Sequence, residues 1–152
     1  MSKTTEAALR VNVCDENRCW RTTRHKEAQV VADLGGPWRI LLLDDHFSTC
    51  ALPKDTLGGL CDGVAVYPQN SNNRLKFIEL KQRLDDLPSA KAQFRKGVET
   101  IRAKLPAGFA GLDVEAELHV RRAGVSTSKL RSSITVDNRK IPIKAFRNGR
   151  QV

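Results

Sequence analysis

Aromatic side chains are scarce in this sequence, 5% of its residues. That scarcity argues against a protein that grips single-stranded nucleic acid by stacking bases on rings. Long apolar runs are missing too. No stretch approaches the ~20 residues needed to cross a bilayer, and the polar start MSKTTEAALR has no apolar core of a secretory signal. A soluble, cytoplasmic chain with no membrane partner is therefore expected. Paired C-x2-C knuckles are also absent, because Cys14, Cys19, Cys50 and Cys61 are spaced C-x4-C and C-x10-C, which suits common zinc modules poorly. In a reducing compartment the expectation is buried or incidental thiols. There is no internal repeat and no low-complexity tract.

One further shortage is local. Between residues 121 and 152 stand nine lysines and arginines and a single acid, Asp137, whereas the whole chain carries a net charge of +9. The other residues are thus nearly neutral together. A basic segment that alternates like a strand suits a polyanion, since each neutralised phosphate releases condensed counterions, although a solvated basic surface has the same composition. Arg121, Arg122, Arg139, Lys140 and Lys144 are the candidate nucleic-acid contacts. With 152 residues, 40% of them hydrophobic, the chain can bury one core, and a single domain spanning 1–152 is expected.

Periodicity gives the elements. ALRVNV reads as a short strand or a frayed start, and HKEAQVVADL reads as a helix stopped at Gly35-Gly36-Pro37. WRILLL is continuously apolar, as in a strand buried on both faces. CDGVAVY and RLKFIELK read as a β-hairpin joined by the turn-rich residues 68–73. Phe94, Val98, Ile101 and Leu105 recur with helical spacing ahead of Pro106. VEAELHV and ITVDNRKIPIKAF return to strands, the latter folding back at Asp137-Asn138. This order implies an α/β fold, a mixed sheet covered by helices.

The hairpin carries the chemistry. With its turn centred between Asn70 and Ser71, opposed residues have numbers summing to 141, which sets Asp62 against Glu79. Directly opposed side chains lie about 4.5–5.5 Å apart at Cβ, close enough for two carboxylates to share one Mg²⁺ or Mn²⁺. The Leu80 carbonyl is a third candidate ligand. Lys81 shares the face of Glu79, where its ammonium can stabilise a phosphate under attack. Val64, Val66, Leu75 and Phe77 continue those faces, so Asp62, Glu79 and Lys81 interrupt apolar strands, a costly placement unless it serves a site. Asp44, Asp45 and His46 read as solvated strand-end groups, His25 and His119 have no partner pattern, and Trp20 and Trp38 read as packing residues.

The stretch CDGVAVYPQNSNNRLKFIELK resembles the core of PD-(D/E)xK nucleases, and SAKAQFRKGVETI resembles the helix behind it. More narrowly, Cys50, CDG and IELK are similar to bacterial members with a cysteine ahead of the aspartate. The usual proline before the first acid is replaced by Cys61. The resemblance implies a restriction-endonuclease-like fold and metal-dependent hydrolysis of phosphodiester bonds, endo- or exonucleolytic, with DNA ahead of RNA. It also implies catalytic roles for Gln93 and, as a glutamate of the first helix, Glu27. Defence, repair or junction resolution would suit so short a nuclease, acting as a homodimer or with a targeting protein. The alternatives are an RNA-directed nuclease and an inactive nucleic-acid-binding module of the same fold.

Overall fold

In the computed structural model, residues 5–27, 29–43, 59–67, 74–105, 108–122, 132–147 and 150–151 are described. The first described element is helix α1 (Thr5–Asn12), whose Leu9 is buried, in a segment that reads in the sequence as a short strand or a frayed start. Strand β1 (Trp20–Thr22) follows, then β2 (Arg24–Glu27) and β3 (Val30–Asp33). These last two form an antiparallel hairpin in the segment expected to be a helix. Two local features explain the difference. Gln29 has a φ of 69°, which ends any right-handed helix, and the buried Val30 and Ala32 are two apart, the period of a strand.

The main sheet runs in the order β1-β4-β5-β6-β7-β9-β10, with β8 on the outer edge of β9. Its remaining strands are β4 (Arg39–Leu42), β5 (Gly63–Val66), β6 (Arg74–Arg83), β7 (Asp113–Arg122), β8 (Ser132–Val136), β9 (Arg139–Arg147) and β10 (Arg150–Gln151). The first strands pair antiparallel, whereas β6, β7 and β9 are mutually parallel. The crossover from β6 to β7 contains helix α2 (Leu87–Lys104), which presents Phe94, Val98 and Ile101 to the core as its spacing predicts. The β8–β9 turn also forms as expected, with Asp137 and Asn138 at φ values of 52° and 63°, the pair of positive angles a tight hairpin requires.

Two apolar layers sandwich the sheet. One contains Leu9 of α1, the apolar face of α2, and Leu41, Val64, Val66, Leu75, Phe77 and Leu118 of the strands. The other joins Ala32 of the β2–β3 hairpin to Trp38, Ile40, Leu42, Ala65 and Ile78. Strand β4 therefore sends alternate side chains into both layers, as its continuous apolar sequence requires. The α/β mixed sheet is as expected, but both described helices lie on one face and a hairpin covers the other. Trp20 and Trp38 are buried packing residues. Cys19 and Cys61 carry thiols, whereas Cys14 is disulfide-bonded, so the expectation of reduced cysteines fails there. Cys50, Asp44, Asp45 and His46 lie outside the described residues.

Candidate active site

The β5–β6 register places Gly63 opposite Ile78, Val64 opposite Phe77 and Val66 opposite Leu75. Every pair sums to 141, and one step further brings Asp62 to Glu79. The two residues do more than face each other. The Asp62 N–H donates to Glu79 Oε1 at 3.2 Å, and the Leu80 N–H donates to Asp62 Oδ2 at 2.7 Å. Each carboxylate thus occupies a backbone donor of the other strand at the point where the β5 ladder ends. Strand β4 fixes Asp62 from the other side, since the Leu43 N–H donates to its carbonyl at 2.9 Å.

Glu79 is 1% exposed. Its second oxygen, Oε2, is buried and has no hydrogen-bond partner among the described residues; its neighbour is Lys81 Nζ at 3.6 Å. Burial, together with the hydrogen bond that a protonated Glu79 donates to the adjacent Asp62 carboxylate and the charge of that carboxylate, pushes the Glu79 carboxyl up to about 10, against which Lys81 pulls only partly. The pair therefore holds a proton where a cation could sit. A buried oxygen without a hydrogen bond beside a second carboxylate is the donor set of a hard divalent ion, so these residues fit Mg²⁺ or Mn²⁺.

Lys81 reaches beyond the strand. Its ammonium donates to Ser89 Oγ at 3.4 Å, and Ser89 Oγ lies 3.5 Å from Gln93 Oε1, one helical turn along α2. The structure thus brings together Asp62, Glu79, Lys81 and Gln93, and adds Ser89. The sequence offered a signal for Ser89 in its i, i+4 spacing from Gln93 near the start of a helix facing the E-x-K strand.

Glu27 is not brought there. It stands on β2, in the hairpin packed on the far face of the sheet, where its carboxylate lies 3.6 Å from His25 Nε2. The role implied for it presumed a helix in this segment. The far face holds a polar cluster that sequence reading missed: Glu117 and His119, both nearly inaccessible, with Lys76 2.8 Å and His119 3.1 Å from the Glu117 carboxylate. Burial raises the Glu117 carboxyl, but hydrogen bonds from His119 and Lys76 and their charges outweigh it, leaving the group below the usual range. His119 also stacks on Phe146 at 5.2 Å. Only strand pairing across β6, β7 and β9 brings these residues together.

The basic candidates divide. Arg139 is committed to the fold: its guanidinium donates to the carbonyls of Leu112 and Phe109 and lies over the Phe109 ring. Lys144 pairs with Glu115 at 3.3 Å. Lys140 is exposed beside Lys91, Ser132, Ser133 and Pro142 in a cleft of about 450 Å³. Arg121 is exposed at the end of β7, and the Arg122 side chain lies outside those described. Register places further cations at that end of the sheet, because Arg83 pairs with Arg122, Val120 with Arg147, and Arg147 with Arg150. Arg83, Arg147 and Arg150 are exposed and close in level to Lys81, which pairs with Val120. By contrast, Lys140 lies seven positions before Arg147 along β9, roughly 23 Å at the rise of a strand.

No protein-family model, curated protein or solved structure matches the chain.

Proposed function

We propose that the protein is a divalent-metal-dependent nuclease of the PD-(D/E)xK type, with a restriction-endonuclease-like core, acting on DNA. The observation that carries this reading is the Asp62–Glu79 pair, with its buried Glu79 oxygen and Lys81 alongside. Asp62 and Glu79 would hold Mg²⁺ or Mn²⁺. The Leu80 carbonyl would be the third protein ligand, since in an extended strand it points to the same side as the Leu80 N–H that meets Asp62. Such an ion supplies Lewis acidity that activates water and draws charge from the scissile phosphate.

The chain's own groups do the rest. Lys81 donates to the phosphate oxygens as negative charge builds on them. Ser89 positions the Lys81 ammonium, and Gln93 holds the Ser89 hydroxyl. Arg83, Arg121, Arg147 and Arg150 flank the carboxyl ends of the parallel strands, where open α/β sheets bind ligands, and engage the phosphate backbone. The scarcity of rings favours duplex over single-stranded substrate.

The test is cleavage of labelled duplex DNA with Mg²⁺ or Mn²⁺. Wild type should cut and be silenced by chelation, while Asp62→Asn, Glu79→Gln and Lys81→Ala should each lose at least a hundredfold in rate with the fold retained. Binding without cleavage under every metal condition would overturn the enzymatic reading and leave a binding module; preferential cleavage of duplex RNA would correct the substrate.

A further inference from the structure

The outer edge of the main sheet carries a cleft that the hydrolytic centre does not use. It measures about 450 Å³ and is lined by Lys91, Ser132, Ser133, Lys140 and Pro142. Strand register explains how they meet. Ser133 pairs with Pro142, and Lys140 stands two positions before Pro142, so these three share one face of the β8–β9 ribbon. Ser132 points to the opposite face, where α2 packs against β8 and brings Lys91 from its second turn. The cleft therefore wraps around β8, whose only ladder partner among the described residues is β9.

Its chemistry is one-sided. The described lining offers two ammonium groups and two hydroxyls, with no acid and no ring, and an edge strand adds backbone N–H groups that no ladder occupies. None of the four polar side chains has a hydrogen-bond or ion-pair partner among the described residues. Lys144, the next cation along that face of β9, is by contrast held by Glu115. Such an excess of donors suits the oxygens of a phosphate group. Among the described residues only Pro142 is apolar, whereas a pocket for a small metabolite is mostly apolar.

Position gives the source of the phosphate. Lys81 is level with Val120 on β7 and with Arg147 on β9, and Pro142 lies five positions before Arg147, roughly 17 Å at the rise of a strand. The cleft is also three strands across, in the order β6-β7-β9-β8, roughly 14 Å at the usual spacing. The two offsets together put it roughly 20 Å from the hydrolytic centre, the length of about six base pairs at ~3.4 Å each. We infer that the Lys91–Lys140 cleft holds backbone phosphates of a duplex arm about six base pairs from the cut, an inference that rests on the nuclease reading for where the cut lies.

The experiment measures binding of fluorescent DNA hairpins to the full chain, with short stems of about 5 base pairs and long stems of about 16. A chelator is present, so the result needs no cleavage; failure of the nuclease reading registers separately, as no cutting once Mg²⁺ is added. Wild type should bind long stems more tightly and with a steeper dependence on salt. Lys91→Gln combined with Lys140→Gln should flatten the long-stem plot of log affinity against log salt by roughly two units, one for each phosphate, and erase the gain from lengthening the stem. Arg24→Gln combined with Lys26→Gln removes equal charge from exposed positions on the β2–β3 hairpin and should keep the wild-type slope. An unchanged slope in the folded Lys91 and Lys140 variant, equal flattening by the hairpin variant, or no duplex binding by wild type at low salt would overturn the proposal. So would saturable binding of inorganic phosphate that the Lys91 and Lys140 variant loses while its DNA slope stays wild-type, which would give the cleft to a free phosphate ligand.

Discussion

At Glu79 the same carboxyl group serves the site and burdens the fold. Its ordinary value is 4.5, and burial beside Asp62 raises it to about 10. In the folded chain the proton is retained while the unfolded chain releases it. The stability linked to this group is therefore full below about pH 4.5 and is lost as pH rises towards 10. Glu79→Gln, which stays neutral, should melt increasingly above the metal-free wild type from about pH 5 to about pH 9; thermal unfolding across that range is the measurement, and a constant difference would contradict the assignment. Mg²⁺ should stabilise wild type more at the alkaline end, because it replaces the proton, and should stabilise Glu79→Gln little. The hydrogen bonds at this point also decide which inactive variants are informative. Asp62 Oδ2 holds the Leu80 N–H, so Asp62→Ala removes an end of the ladder as well as a ligand. Asp62→Asn keeps an acceptor there and should melt above Asp62→Ala by about 1 kcal/mol or more in unfolding free energy.

At the level of elements, α2 packs tightly against Cys61, just ahead of β5, and against β6. A Cβ placed on Gly97 would stand 2.5 Å from Cys61 Sγ and 3.6 Å from the Phe77 ring. Gly97→Ala should thus destabilise by about 1–3 kcal/mol, despite alanine's better helix propensity. Denaturant midpoints should show it, and Cys61→Ala in the same chain should recover most of the stability by removing the sulfur. The elements nearest the site were also the most legible. The β5–β6 register followed from a symmetric turn and a period of two, and α2 from four apolar residues on one stripe. The β2–β3 hairpin was not legible, because His25, Lys26 and Glu27 suit a helix as well as a strand, and the pattern of Val30 and Ala32 is too short to decide the period.

Across the whole molecule, the basic charge read as one C-terminal segment is split by topology. Arg139 and Lys144 have internal partners, whereas Arg121, Arg147 and Arg150 gather with Arg83 at the end of the sheet that holds Lys81. Replacing Arg121 and Arg147 by glutamine should flatten the plot of log DNA affinity against log salt by roughly one unit for each phosphate no longer neutralised. Lys144→Gln should leave the slope unchanged, and Arg139→Gln should lower the melting temperature instead. Equal slopes for all four variants would place the phosphate path elsewhere. The sequence shows how many charges there are, but their side of the molecule is set by parallel pairing among β6, β7 and β9, which no local pattern encodes. The buried Glu117–His119–Lys76 cluster was hidden for the same reason, its members being brought together by strand neighbours far apart in sequence.

That connectivity also orders events in time. Few residues separate the antiparallel β5 and β6 in sequence, and hairpins form in about 1–10 μs. The parallel pairs wait for an entire crossover and its loop-closure entropy. The two carboxylates therefore meet early, while water still solvates both, and are desolvated only when α2 and β7 close over them. The repulsion between them falls on the late side of the folding barrier, so neutralising Glu79 slows unfolding far more than it speeds folding.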